Sequence, residues 1–134
     1  MPFRCAFTIR SDTRYLALLR QWVSVAVSVA GLRALPPKAV TACTLALIEA
    51  VDNAIFHAHR RRRRLPIRVS LALSLSGMTI EVVDTGCGIG RHVVSEPEEP
   101  VSHGRGLFLI HRLMTRVESR MKNGRHSLRM VYEL

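Results

Sequence analysis

The strongest constraint on the fold is a pair of alternating segments joined by a short turn. From Ile67 to Leu75, and again from Met78 to Val82, apolar residues occupy every second position. Period two is typical of strands with one buried face, and the intervening Ser76-Gly77 pair predicts an antiparallel hairpin. Because the apolar face of such a hairpin must be covered by another layer, helices packed against it are expected.

Two helices are predicted before this hairpin. Ser11 or Asp12 can cap the first helix, which carries apolar residues at helical spacing to about Ala30 and ends at Gly31. The second helix begins at the Pro36-Pro37 pair, carries a long apolar stripe and ends near His59.

The remaining elements complete the order β-α-α-β-β-loop-α-β-β. They are a first strand from Phe3 to Ile9, a helix from Leu107 to about Thr115, a strand from Val117 to Met121, an Asn123-Gly124 turn and a last strand through Leu128 and Tyr132. This order predicts one α+β domain over residues 1–134. We expect a two-layer sandwich with a mixed, mostly antiparallel sheet and helices on one face.

The charge of the chain raises the question of an anionic partner. The formal net charge is +10, and five of the basic residues form one run, Arg60 to Arg64. The run lacks interleaved aromatic residues for base stacking, and no helix-turn-helix pattern is present. A solvated basic loop is therefore favoured over a nucleic-acid site.

Cysteine usage and hydropathy indicate the cellular compartment in which the protein is expected. Cys5, Cys43 and Cys87 are odd in number and widely spaced, without a CxxC pair, which indicates neither a disulfide framework nor a zinc site. The stretch from Trp22 to Leu35 is too short and too polar to span a membrane. A cytoplasmic protein without membrane contact is expected.

Glu49 and Asn53 are the first candidates for chemistry. They are four residues apart on the second predicted helix and so lie one turn apart on one face, with Asp52 leaning to the same side. A carboxylate and an amide oxygen at this spacing could hold Mg²⁺, which prefers oxygen ligands, and could orient a hydroxyl. Taken alone, the pair is more typical of the polar outer face of an amphipathic helix.

Asp84 is the second candidate, at the end of the hairpin's second strand. A carboxylate there can accept a hydrogen bond from an exocyclic amine such as that of adenine. Gly86 and Gly88 follow, and they allow the backbone to turn tightly and to approach a flat base. The alternative, a glycine-rich connection with Asp as an ordinary turn residue, remains open.

A third candidate is the segment Gly104-Arg105-Gly106-Leu107, which opens the next predicted helix. Glycines before a helix expose backbone N–H groups where the helix dipole favours an anion, so a phosphate could bind there. The segment is neither a Walker A loop nor a Rossmann fingerprint. Arg105 could contact a phosphate or extend into solvent.

Together these segments resemble the motifs of the GHKL ATPases, which include gyrase, heat-shock chaperones, histidine kinases and MutL. Leu47 to Ala58 is similar to their N box, Asp84 to Ile89 to the G1 box, and Gly104 to Ile110 to the G2 box. The endings of the N and G2 boxes resemble one branch, the bacterial anti-sigma factor serine kinases of the RsbW type. The resemblance implies the Bergerat fold and covers nearly the whole chain.

The resemblance implies a role for each matching residue. Glu49 would be the general base, Asn53 the Mg²⁺ ligand, and Asp84 the carboxylate that reads adenine. The residues implied to complete the ATP site around them are Gly86, Gly88 and Ile89 of the G1 box and Gly104, Arg105, Gly106 and Leu107 of the lid.

The same resemblance implies partners. Such a kinase uses ATP and Mg²⁺ to phosphorylate a serine of a small anti-anti-sigma protein of the STAS type. It also sequesters a sigma factor, often as a homodimer, and thereby regulates transcription. This sequence departs from the branch in its basic run and in the acidic lid residues Glu96, Glu98 and Glu99. These carboxylates are expected to face solvent, or to face Arg91 and the arginine run.

Three other functions remain open from the residues. The chain could be a non-catalytic module that uses nucleotide as a structural ligand, or the ATP-binding half of a split sensor kinase. A nucleic-acid protein acting through the arginine run is the third and least favoured. Phosphotransfer to a partner distinguishes a kinase from the non-catalytic module, and a salt titration of binding tests the nucleic-acid function.

Overall fold

The computed structural model describes residues 2–58, 65–85 and 102–134. The strands are β1 (Phe3–Arg10), β2 (Pro66–Ser74), β3 (Gly77–Asp84), β4 (Arg116–Lys122) and β5 (Arg125–Glu133). The helices are α1 (Leu16–Val29), α2 (Pro37–Asn53) and α3 (Ser102–Leu113). This order confirms the predicted α+β class.

The sheet has five strands in the order β1-β2-β3-β5-β4. All four neighbouring pairs are antiparallel, so the expected mixed sheet is wrong for the described strands. The reason lies in the position of β5, which is inserted between β3 and β4. Those two strands run in the same direction, but they are not neighbours and therefore form no parallel pair.

Strand alternation separates a buried face from an outer face. On β3, Met78, Ile80 and Val82 are buried, and the residues between them are half-buried. The buried rows of the strands join the apolar sides of the helices in one core. This is the predicted two-layer arrangement, because α2 packs on the sheet and also contacts α1 and α3.

The predicted glycine follows the end of α1, whereas the predicted Asp12 cap acts one turn before the helix, which itself begins after Tyr15 without a side-chain cap. The Asp12 side chain accepts a hydrogen bond from the Arg14 backbone N–H at 3.0 Å and caps a short 3₁₀ turn that leads into the helix. Gly31, at φ +73°, follows the helix end. Trp22 on this helix packs edge-to-face on Phe7 of β1, with ring centroids 4.5 Å apart.

The central helix α2 is the most deeply buried helix of the domain. Ala39, Cys43, Ala46, Leu47 and Val51 are all fully buried along it. Pro37–Phe56 is long and apolar enough to cross a membrane by length and composition, but half of its most apolar window is buried in the core. The helix was expected to reach His59. Its α-helical part ends at Asn53, a π-helical turn continues from Ala54 to Ala58, and His59 lies outside the described residues.

Helix α3 begins earlier than the periodicity predicts. The apolar spacing starts at Leu107, but the helix starts at Ser102, so Gly104 and Gly106 lie inside its first turns instead of preceding it. The prediction of a glycine loop before the helix N-terminus is therefore wrong. Glycine has low helix propensity, which misled the sequence interpretation, but close packing can require it inside a helix.

Candidate functional site

Asp84 is the last residue of β3 and lies on the buried side of the sheet. The alternation that buries Ile80 and Val82 also buries this carboxylate, which is only 3% exposed. Thr85, the next residue, is exposed. A buried carboxylate needs hydrogen-bond partners to offset its lost hydration. Asp84 is thus built into the sheet and is more than an exposed turn residue.

One partner of Asp84 is a histidine that the sequence interpretation missed. His126 faces Asp84 directly in the antiparallel register of β3 and β5. Its Nδ1 lies 3.4 Å from Asp84 Oδ2, a long hydrogen bond, and its side chain is 8% exposed. On its other side, Nε2 lies 2.7 Å from Ser119 Oγ of β4. The three side chains form a hydrogen-bonded chain across three strands.

A signal for His126 was present in the sequence. His126 lies two residues before Leu128 and four before Met130, and thus on the same apolar row of the last strand. A histidine on an apolar row calls for a buried polar partner. The identity of that partner depends on the pairing of β3 with β5, which joins residues 42 positions apart.

Glu49 and Asn53 lie in the last turns of α2, on the side where α3 packs. Both side chains are half-buried, as is Asp52. Glu49 and Asp52 also take part in interactions with other groups. The placement agrees with the predicted common face, and it excludes a fully solvated outer face for the pair.

Gly106 connects this pair to α3. A Cβ atom added at Gly106 would stand 2.6 Å from Glu49 Oε2, 3.4 Å from Asn53 Oδ1 and 3.7 Å from Asn53 Nδ2. No side chain larger than hydrogen fits there without moving the Glu49 carboxylate. The structure therefore brings together two of the three predicted segments, and the glycine of one packs on the polar side chains of the other.

Several predicted site residues fall in the parts that the structure leaves undescribed. The expectations for Gly86, Gly88 and Ile89, for Cys87, for the arginine run and for the acidic lid residues concern positions outside the described ranges. Gly104 lies within α3, but nothing is described of its surroundings or of the Arg105 side chain. Leu107 is 43% exposed on α3.

The described residues offer few ligands for a metal ion. Within residues 2–58, 65–85 and 102–134, no group of three or more His, Cys, Asp or Glu could hold a metal. Glu49 and Asn53 are an oxygen-donor pair, which suits Mg²⁺ bound through few protein ligands and several waters. The expected Mg²⁺ site fits this pair chemically.

The two described cysteines behave as packing residues. Cys43 is fully buried in α2, and this burial raises the pKa of its thiol to about 12. Burial also raises the pKa of the Cys5 thiol, while a hydrogen bond with the Trp22 side chain lowers it. Both are free thiols.

Comparison with known families covers almost the whole chain. The model of the histidine kinase-like ATPase domain matches residues 9–132. The chain belongs to the histidine kinase-like ATPase family. The GHKL resemblance of the three motifs is thereby confirmed, and a domain of this family implies ATP as its ligand.

Among solved structures, this ATPase domain matches the crystal structure of the RsbU and RsbW domains of Rv1364c from Mycobacterium tuberculosis. The TM-score is 0.72 at 16% sequence identity, over 98% of this chain and 32% of the other chain. At this identity the match shows the fold alone. This chain spans about a third of the matched chain. No curated protein matches the sequence.

Proposed function

We propose that this domain is an ATP-dependent protein serine kinase that phosphorylates an anti-anti-sigma protein of the STAS type and sequesters a sigma factor. The contact of Gly106 with Glu49 and Asn53 carries the proposal. It seats the start of α3 on the two side chains that this chemistry needs, and a larger residue at Gly106 would displace them. Family membership supports ATP as the phosphoryl donor.

Each residue has a defined task in this reaction. Asp84 accepts a hydrogen bond from the 6-amino group of adenine, for which its position at a strand end suits it. Asn53 would supply an amide oxygen to Mg²⁺, and the ion would neutralise phosphate charge. Glu49 accepts the proton of the acceptor serine hydroxyl while the serine oxygen bonds to the γ-phosphorus. The bond from that phosphorus to the bridging oxygen breaks, and ADP leaves.

The position of Glu49 suits a general base. It is half-buried, so part of its hydration is removed, yet its carboxylate is not sealed from a substrate. Its Oε2 is held against α3 at Gly106, which limits the directions it can face. Loss of a positioned base typically lowers the rate by about 10² to 10⁴-fold.

Replacing Glu49 by Gln tests this assignment, because the amide keeps the shape of the side chain but cannot take the proton. We expect ATP affinity to remain and phosphotransfer to purified STAS-type proteins of the same genome to fall by at least about 100-fold. Phosphate-affinity gels measure transfer, and calorimetry measures ATP binding. Normal transfer by the variant would refute the role of Glu49.

The same experiment separates the kinase from the non-catalytic alternative. If the wild-type domain binds ATP but transfers no phosphate to any of these proteins, the nucleotide is a structural ligand and the domain is a binding module. If transfer requires a separate histidine-bearing dimerisation protein, the domain is half of a split sensor kinase. Transfer to serine in a two-component reaction supports the proposal.

We also propose that the domain forms a homodimer through helix α1. Leu18, Val25 and Val29 are 54%, 54% and 69% exposed at spacings of seven and four residues, which places them along one side of the helix. An apolar stripe of this kind is typical of helix packing between subunits. Val25→Glu should shift the domain toward monomer in sedimentation equilibrium without unfolding it, and an unchanged mass distribution would argue against this surface.

A further inference from the structure

We infer that His126 is a positioning residue for base recognition, because the chain Ser119–His126–Asp84 holds the carboxylate that reads the 6-amino group of the purine. The inference rests on the proposed role of Asp84 and adds two residues that the motifs do not contain. It predicts that discrimination between purines with and without this amine depends on a histidine that itself contacts no nucleotide.

The register of the sheet places the three side chains on one face. Asp84 faces His126 across the β3–β5 pair, and Met121 faces His126 across the β4–β5 pair. Ser119 lies two residues before Met121, hence on the same side and diagonal to the histidine. Such diagonal neighbours are within reach of longer side chains. The hydrogen-bonded series of side chains therefore follows from the strand register and does not require any side chain to move from its place on the sheet.

The hydrogen bonds determine which ring nitrogen of His126 carries the hydrogen that faces Asp84. An ionised carboxylate only accepts hydrogen bonds, so the Nδ1 atom must carry the hydrogen that is donated to Asp84 Oδ2. In the neutral ring, Nε2 then accepts from the Ser119 hydroxyl. In the charged ring, Nε2 donates to the Ser119 oxygen instead. In both forms the Nδ1–H faces Asp84.

This contact has a consequence for the carboxylate. Asp84 is nearly fully buried, and a donor on Oδ2 both supplies a hydrogen-bond partner for this oxygen and restricts the rotation of the side chain. A carboxylate held in this way presents an acceptor in one direction. Sites built to hydrogen-bond a substrate amine strongly reject the analogue that lacks it, because their polar group is then left unpaired.

Burial increases from Ser119 through His126 to Asp84, and this order supports a positioning role for His126. Asp84 and His126 are 3% and 6% exposed, whereas Ser119 is exposed on the edge strand β4. The serine thus anchors the ring from the rim of the sheet. The ring in turn reaches the carboxylate inside.

The order serine, histidine, aspartate also occurs in hydrolases. Their serine needs donors for an oxyanion beside its Oγ, and it is usually presented at a sharp turn. Ser119 lies in the middle of a regular strand, within seven residues of antiparallel ladder. A fluorophosphonate probe provides the check: labelling of the wild type that is lost in Ser119→Ala would overturn the positioning role.

The main test measures the affinities for ATP and for purine riboside triphosphate, which has hydrogen in place of the 6-amino group, by calorimetry in Mg²⁺ buffer. Wild type should prefer ATP. His126→Leu keeps the bulk of the side chain but has no donor. In this variant the ATP affinity should fall roughly tenfold or more, and the ratio of the affinities for the two nucleotides should approach one. Equal weakening of both nucleotides would overturn the inference, since that is what general damage to the fold produces.

Conservative variants distinguish positioning from packing. Asn at position 126 can place an amide donor where Nδ1 lies, so His126→Asn should recover most of the preference for ATP. Ser119→Ala removes only the outer hydrogen bond and should reduce the preference by about threefold. Ser127→Ala, next to His126 but on the other face of β5, is the matched control and should match wild type. Urea unfolding confirms that each variant is folded.

Asp84→Asn separates failure of this inference from failure of the proposed function. If Asp84→Asn leaves both affinities unchanged, the base site itself is misassigned and the proposed function fails with it. If Asp84→Asn abolishes the preference for ATP while His126→Leu retains it, only the role of His126 is refuted. Loss of the preference in both variants supports the two assignments together.

Discussion

Replacing Gly106 by alanine would place a methyl group against the side chains of Glu49 and Asn53. The added Cβ would stand 2.6 Å from Glu49 Oε2 and 3.4 Å from Asn53 Oδ1. Restoring a separation of about 3.5 Å requires the carboxylate to move by roughly 0.9 Å. The carboxylate is the end of a flexible side chain, so it can move without displacing the backbone.

The effect on stability and the effect on catalysis should therefore diverge. Alanine gains about 1 kcal/mol over glycine inside a helix, and overpacking typically costs about 1 to 3 kcal/mol, here near its lower end. The free energy of unfolding should stay within about 1 kcal/mol of wild type. If Glu49 is the base, as proposed, its displacement by nearly 1 Å should lower phosphotransfer by on the order of 100-fold.

The assay compares wild type and Gly106→Ala by urea unfolding, by ATP calorimetry and by the rate of phosphotransfer to the acceptor protein. A double variant supplies the control: in a Glu49→Ala background the clash is absent, so alanine at position 106 should stabilise the domain by about 1 kcal/mol. Phosphotransfer by Gly106→Ala within about threefold of wild type would refute the reasoning, since the base would then tolerate the shift.

Four further predictions concern the core, a buried thiol and the charged surface. Leu47→Ala should lower the free energy of unfolding by about 2 to 5 kcal/mol, because this side chain is fully buried on α2; a urea titration measures the loss. The Cys43 thiol should not react with dithionitrobenzoate at pH 8 until the domain unfolds, and reaction at the rate of a free thiol would contradict its burial. The raised pKa of Cys43 also makes the stability of the domain depend on pH. Above the ordinary thiol pKa of 9.0 the unfolded thiol ionises, whereas the native thiol stays neutral up to its pKa of about 12. The free energy of unfolding should therefore decline as pH rises through this window. A duplex DNA probe should show no measurable binding at physiological salt; binding that falls with added salt and is indifferent to ATP would favour a nucleic-acid function through the arginine run.

Most of the fold could be predicted from local patterns. The alternation in β2 and β3, the apolar stripe of α2 and the Asn123-Gly124 turn, whose residues have φ of 53° and 75°, each depend on neighbours close in sequence. The start of α3 could not be predicted in this way. Its first turns contain two glycines, and the choice of glycine at position 106 depends on packing against α2.

The candidate site also contains some residues that local sequence predicts and others that only the tertiary structure identifies. Glu49, Asn53, Asp84 and Gly106 could be proposed from motif spacing, because each motif is a short segment with its own local geometry. His126 could not be assigned, because its meaning depends on which strand lies beside β5. The antiparallel pairing of β5 with β3 turns an isolated histidine on an apolar row into the partner of a buried carboxylate.

The sequence by itself determined the element order, the apolar faces and the three motifs of an ATPase family, since periodicity and short-range chemistry are written in adjacent residues. Only the tertiary structure decided that the sheet is antiparallel throughout the described strands, that Gly106 seats α3 on Glu49 and Asn53, and that Ser119 and His126 support Asp84. These features join residues far apart in the chain. Their contacts exist only because burial of the apolar faces brings the elements together.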